Sequence, residues 1–133
     1  MEKMKNEARQ VVDRMFAAFA QGDADAFVGT VSDDTVWTYH GTQVIPKGTF
    51  EGKEGVRKFF KSIVEGSDIL HFEPTDFIVE GNKVVVLGHE HQRVKRSGKE
   101  LKQQWVQVYT VENGLITKME EFASSEVVKE GST

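Results

Sequence analysis

Apolar residues change their spacing along this chain, and each change marks an element. From Met4 to Gln21 they recur every three or four positions: Met4, Ala8, Val11, Val12, Met15, Phe16 and Phe19. That period predicts an amphipathic helix over residues 4–21. Gly22 ends it, and Asp23 is placed to cap a second helix, about Ala24–Val31. Asp33-Asp34 breaks the pattern. TVWTYH then reads as a strand through about His40, with either Trp37 and Tyr39 or Thr38 and His40 facing inward. A loop from Gly41 to Gly48 leads through Thr49-Phe50-Glu51-Gly52 into a third helix, with apolar positions at Val56, Phe59, Phe60, Ile63 and Val64, which Gly66 ends.

Beyond residue 68 the period shortens to two. Ile69–Val79 is a strand region interrupted near Pro74, Glu80-Gly81-Asn82 is a turn, and Val84–Arg96 is a long strand. Ser97-Gly98 turns the chain into a strand over Leu101–Val111. Glu112-Asn113-Gly114 supplies the next turn, because Asn and Gly tolerate positive φ. Leu115–Val128 closes the meander, and Lys129–Thr133 reads as a frayed tail. In the hairpin, Gln103, Trp105, Gln107, Tyr109 and Val111 share one face; Gln104, Val106, Val108 and Thr110 share the other. Met119 and Glu121 fall on the first face.

Helices first, then an antiparallel meander, make an α+β layout in one domain spanning 1–133. A sheet this long and twisted should curl around the three helices as a cone-shaped barrel and leave a cavity. The opposite sheet face carries Val85, Leu87, Val106 and Val108. Apolar residues on both faces call for cover on both, so a homodimer is expected.

Composition narrows the partners. Seventeen Lys plus Arg against 21 Asp plus Glu gives a net charge of −4 with no basic stripe, which argues against nucleic acid. The chain has no cysteine, so disulfides, thiolate chemistry and Cys-ligated metals are excluded. The N-terminus shows no apolar signal segment, and no run approaches a membrane span. A cytoplasmic protein is expected, without membrane association.

Candidate chemistry concentrates on the hairpin. Large rings with polar groups among them suit a pocket for a small hydrophobic molecule. Glu121 shares its face with Trp105, Gln107 and Tyr109, where desolvation raises a carboxyl pKa toward the range of a general base. His40, beside the Trp37–Tyr39 strand, is a second acid/base candidate. Gln107 and Tyr109 are expected to orient a substrate, with Glu90 and Gln92 closing the polar strip. Phe16, Trp37, Tyr39, Phe60, Trp105 and Met119 are expected to shape the cavity. His89 and His91 alternate on one strand face and can share a metal, but no third ligand is evident, so neither metal nor cofactor is expected.

The runs MFAAFAQGDADAFVGTVSDDTVW, KGTFEGKEGVRKFF, GNKVVVLG and WVQVYTVENGLITKMEEF together resemble the SnoaL-like proteins of the ketosteroid-isomerase-like, nuclear-transport-factor-two-like superfamily. The resemblance covers about Val11 to Glu126. It implies a cone-shaped α+β barrel, usually dimeric, with a pocket between sheet and helices, in a group that includes isomerases, cyclases, dehydratases and binding domains. It also implies where known chemistries would sit. The steroid isomerases' Tyr position falls on Met15, their oxyanion Asp on Gln107, and their base near Thr38 or Tyr39; the cyclases' Asp falls on Ser124. The isomerase set is therefore absent. If the protein is an enzyme, cofactor-free proton transfer on a hydrophobic carbonyl-containing substrate is the expected activity; the alternative is a non-catalytic small-ligand-binding or dimeric interaction domain.

Overall fold

The computed structural model describes residues 2–42 and 46–128. The segment expected to fray, Lys129–Thr133, lies outside them, as does part of the Gly41–Gly48 loop. Helix α1 spans Glu2–Gln21, α2 Ala24–Val28 and α3 Gly52–Gly66; strands are β1 Val31–Tyr39, β2 Gly48–Glu51, β3 Ser67–Glu80, β4 Lys83–Val94, β5 Glu100–Glu112 and β6 Leu115–Val127. One six-stranded sheet runs in the order β2-β1-β6-β5-β4-β3. It is antiparallel throughout except where β1 pairs parallel with β6. The three helices lie against one face of this open, curved sheet, as the α+β cone expected from the pattern requires. Among the described residues no helix is long and apolar enough to cross a membrane.

Each helix forms where its apolar period predicts. Ala8, Val11, Val12, Met15 and Ala18 of α1 are buried at three- and four-residue spacing. Gly22 turns the chain at φ +68°, and Asp23 Oδ1 accepts from the Ala26 amide at 3.0 Å to cap α2. The second helix is shorter than expected. It stops at Val28 because the chain is drawn into the sheet: the Ile116 amide donates to the Thr30 carbonyl at 2.8 Å. Asp33-Asp34 does not precede the strand but lies inside it. The register with β6 shifts between Val31 and Val36, both Asp side chains remain exposed, and Asp34 accepts from Ser32 Oγ at 2.8 Å.

Strand β2 has no counterpart in the sequence reading. Its four residues pair with β1, Phe50 opposite Trp37. Pro74 does not interrupt β3; the register shifts there and the strand continues to Glu80. The core sits between helices and inner sheet face, where Phe27 packs on both Trp37, at 5.5 Å, and Phe60, at 4.9 Å, between ring centres.

Candidate functional site

Between the helices and the sheet lies a cavity of about 240 Å³. Its apolar wall comes mainly from Phe residues of α1 and α3 and from Phe72 of β3; its polar wall comes from the inner faces of β1, β4, β5 and β6. The alternation of β5 produces that polar wall. Gln103, Trp105, Gln107 and Tyr109 are buried, while Gln104 and Lys102 are exposed. Cross-strand register then sets the partners. Gln107 stands opposite Glu121, Glu121 opposite Tyr39, and Gln103 opposite Glu90.

These positions form two hydrogen-bonded chains. Tyr109 Oη donates to Gln107 Oε1 at 2.6 Å, and Gln107 Nε2 donates to Glu121 Oε1 at 3.0 Å. Tyr39 Oη donates to Gln103 Oε1 at 3.1 Å, and Gln103 Nε2 donates to Glu90 Oε1 at 3.3 Å. Tyr109 and Gln107 thus aim the Glu121 carboxylate and keep only a second amide N–H for anything else. Gln92, 6% exposed, lines the cavity, and its side chain makes no hydrogen bond among the described residues.

The electrostatics follow from burial. Glu121 is 6% exposed; loss of water pushes its pKa up to about 7, partly offset by the Gln107 hydrogen bond. Glu90 is pushed up to about 8, by burial first and by the nearby Glu121 charge second. Burial, again the larger cause, and the Glu121 charge also hold the Tyr39 and Tyr109 hydroxyls well above their ordinary range. No described residue lining this space is basic.

Eight residues expected at the site share the cavity: Phe16, Trp37, Tyr39, Glu90, Gln92, Gln107, Tyr109 and Glu121. The parity left open for β1 is thereby decided, with Trp37 and Tyr39 inward. Four others do not reach it. His40 lies across the sheet from Glu121's side chain, its ring stacked 4.3 Å from Phe122 and its Nε2 3.0 Å from Glu120. Trp105 is committed to packing, 5.2 Å from Phe72 and 6.3 Å from Phe16 between ring centres. Phe60 is buried against Phe19 and Phe27, and Met119 is fully buried in the core. The sequence reading missed Phe50 and Phe72 as lining residues, because the first belongs to the unpredicted β2 and the second sits in an irregular strand. Phe59, Ser62 and Ile63 were legible in principle from the helical spacing of α3.

The histidines also group differently from the His89–His91 alternation seen in the sequence. His89 meets His71 and Glu73 across the β3–β4 pairing, and one ligating atom from each of the three lies within 4.8 Å of the others. Glu73 Oε1 is 3.1 Å from His71 Nε2 and 3.5 Å from His89 Nε2. This exposed trio can receive a cation, and it lies on the outer sheet face, away from the cavity.

Comparison with known proteins agrees with this architecture. The model of the SnoaL-like domain family matches residues 12–119. No curated protein matches. An NTF2-like protein from Burkholderia xenovorans LB400 is 27% identical, with a TM-score of 0.80 and 90% of each chain covered. A second, from Burkholderia thailandensis, is 24% identical at a TM-score of 0.76, covering 87% of this chain and 89% of its own. A protein of ketosteroid isomerase-like fold from Catenulispora acidiphila, solved in complex with trimethylamine, is 14% identical at a TM-score of 0.73, covering 84% of this chain and 83% of its own. With its family model matched over most of its length and its fold shared with these structures, the chain belongs to the SnoaL-like domain family.

Proposed function

We propose that the cavity binds a small, largely apolar organic molecule and that Glu121 moves a proton on it without a cofactor. The observation that carries this reading is one buried carboxyl, facing an aromatic chamber and aimed by the Tyr109–Gln107 relay. A carboxyl with its pKa near 7 is divided between acid and base at neutral pH, which suits it to give as well as take a proton. As carboxylate, Glu121 takes a proton from a carbon beside a substrate carbonyl and leaves an enolate. As acid, it returns the proton to another carbon, an isomerisation, or to a β-hydroxyl that departs as water, a dehydration. Attack of the enolate on a second carbonyl would give a cyclisation. The unspent amide N–H groups of Gln92 and Gln107 are the donors available to the enolate oxygen.

Exchange of carbon-bound hydrogen for deuterium tests this without knowledge of the natural substrate. A panel of small cyclic ketones is incubated with the protein in D2O and followed by NMR. The protein should accelerate exchange at carbons beside the carbonyl for at least one ketone, and Glu121→Gln should lower that rate at least a hundredfold while keeping the fold. A Glu121→Gln variant that exchanges as fast as its parent overturns the reading. The alternative, a carrier that binds without conversion, is favoured by the departures at Met15 and Gln107 from the steroid isomerases' Tyr and Asp. Tight binding of a ketone with no exchange would select it.

A further inference from the structure

The cavity holds more carboxylate than proton transfer at one carbon uses. Glu90 lines the same polar wall as Glu121, two strands away, and is reached through its own relay from Tyr39 and Gln103. The helices add rings, aliphatic groups and a serine hydroxyl to the lining, and the other strands add phenols and amides. Two acids therefore face one apolar chamber with no counter-ion among the described lining residues. Buried carboxylates are ordinarily paired with a cation or bound to a metal. Here the relays supply amide donors, which satisfy lone pairs but carry no charge. The chamber also presents aromatic faces, whose negative π-clouds attract a cation that has left water.

We propose that the ligand of this cavity carries a positively charged nitrogen, an alkylammonium or quaternary ammonium group with apolar substituents, seated between the Glu90 and Glu121 carboxylates and the ring of Trp37. This rests on the cavity being a ligand site and gives that ligand a chemical class. The nitrogen supplies the missing counter-charge, the rings take its substituents, and Glu121 remains within reach of the same molecule for proton transfer. An anionic ligand would meet two like charges, and a neutral one would leave the acids protonated.

The protonation of the wall supports the assignment. Both carboxyls sit above their ordinary range, and Glu90 is raised further by the Glu121 charge. A bound cation favours both charged forms, so binding releases protons and tightens as pH rises through 7 to 8. The other titratable groups among the described lining residues, the Tyr39 and Tyr109 hydroxyls, stay protonated across that window. The α1 and α3 residues that line the cavity do not titrate.

Two matched pairs of probes test the charge requirement: choline with 3,3-dimethylbutan-1-ol, and benzyltrimethylammonium with neopentylbenzene. Each pair differs in little but the positive nitrogen. NMR titration of the full chain at pH 8.5 should give at least one cation binding at least tenfold tighter than its carbon isostere. The preference should shrink at pH 6 and disappear in Glu90→Gln, a near-isosteric change whose folding is checked by its melting temperature. Equal binding of cation and isostere overturns the inference and leaves the cavity a ligand site. A preference that persists unchanged in Glu90→Gln also overturns it. Binding of no probe overturns the charge assignment, and the ligand-site reading then stands or falls on the ketone exchange alone. Loss of exchange activity in Glu121→Gln bears only on proton transfer, so the two proposals fail separately.

Discussion

Glu121 is buried where a carboxylate is least at ease, and the fold feels this as a dependence on pH. In an unfolded chain the group titrates near its ordinary value of 4.5, in the folded protein at about 7. Between those values the folded state holds the proton that the unfolded state has lost. Stability therefore falls as pH rises from about 4.5 toward 7, and Glu90, raised to about 8, extends the fall. Glu121→Gln removes one ionisation. The variant should be more stable than its parent at pH 9, by on the order of 2 kcal/mol, and should converge with it near pH 4. Urea midpoints at the two pH values check this; a variant less stable at pH 9 contradicts it. The charge that the proposed proton transfer needs is thus one the fold resists, as a trade-off between stability and activity would have it. From the sequence, Glu121 was legible through strand parity alone. His40 was not, because one strand position decides between the cavity and the outer face, and TVWTYH offers no clear alternation.

Among the elements, the β4–β5 pair is closely packed behind the cavity wall. Gly88 stands opposite Trp105, and the indole fills the space where a side chain would begin. A Cβ there would meet Trp105 Cζ2 at 2.4 Å and the Glu73 carbonyl oxygen at 2.6 Å. Neither can yield easily, since Trp105 is packed against Phe16 and Phe72 and the carbonyl is backbone. Gly88→Ala should therefore cost about 3 kcal/mol, measured by urea denaturation; a change below 1 kcal/mol would contradict the tight packing. This contact explains why Trp105, which alternation puts on the cavity face, never reaches the cavity. The meander itself was legible because long alternating strands and Gly or Asn turns act over neighbouring residues. Strand β2 was not, because four residues carry too little pattern and depend on pairing with β1. The end of α2 was missed for a related reason: sheet pairing at Thr30 overrides the local tendency to stay helical.

For the whole molecule, the outer sheet face is the unsettled surface. Ile78 is 56% exposed, Phe122 46% and Leu70 44%, with Val85, Leu87, Val106 and Val108 half-buried. Helices cover one sheet face, so the homodimer expected from the sequence remains our proposal for the other. Sedimentation equilibrium at micromolar concentration should return twice the 15.0 kDa chain mass. Phe122→Glu should return a single chain that still melts cooperatively. A monomeric parent would leave the apolar outer residues without that explanation.

The ribbon closed by Asn113 and Gly114 presents Glu120, Glu121 and Phe122 in consecutive places that look outward, inward and outward. One residue gained or lost in the bend would slide one arm by a single step against the other. The interior acid would be exchanged for its exposed neighbour or for a ring, although every side chain needed to build the chamber would still be encoded. Substitution along these arms alters what the chamber fits; a change of length alters its reading frame. Drift in this chain can accordingly rewrite the lining residue by residue, while the count between the two arms has to stay fixed.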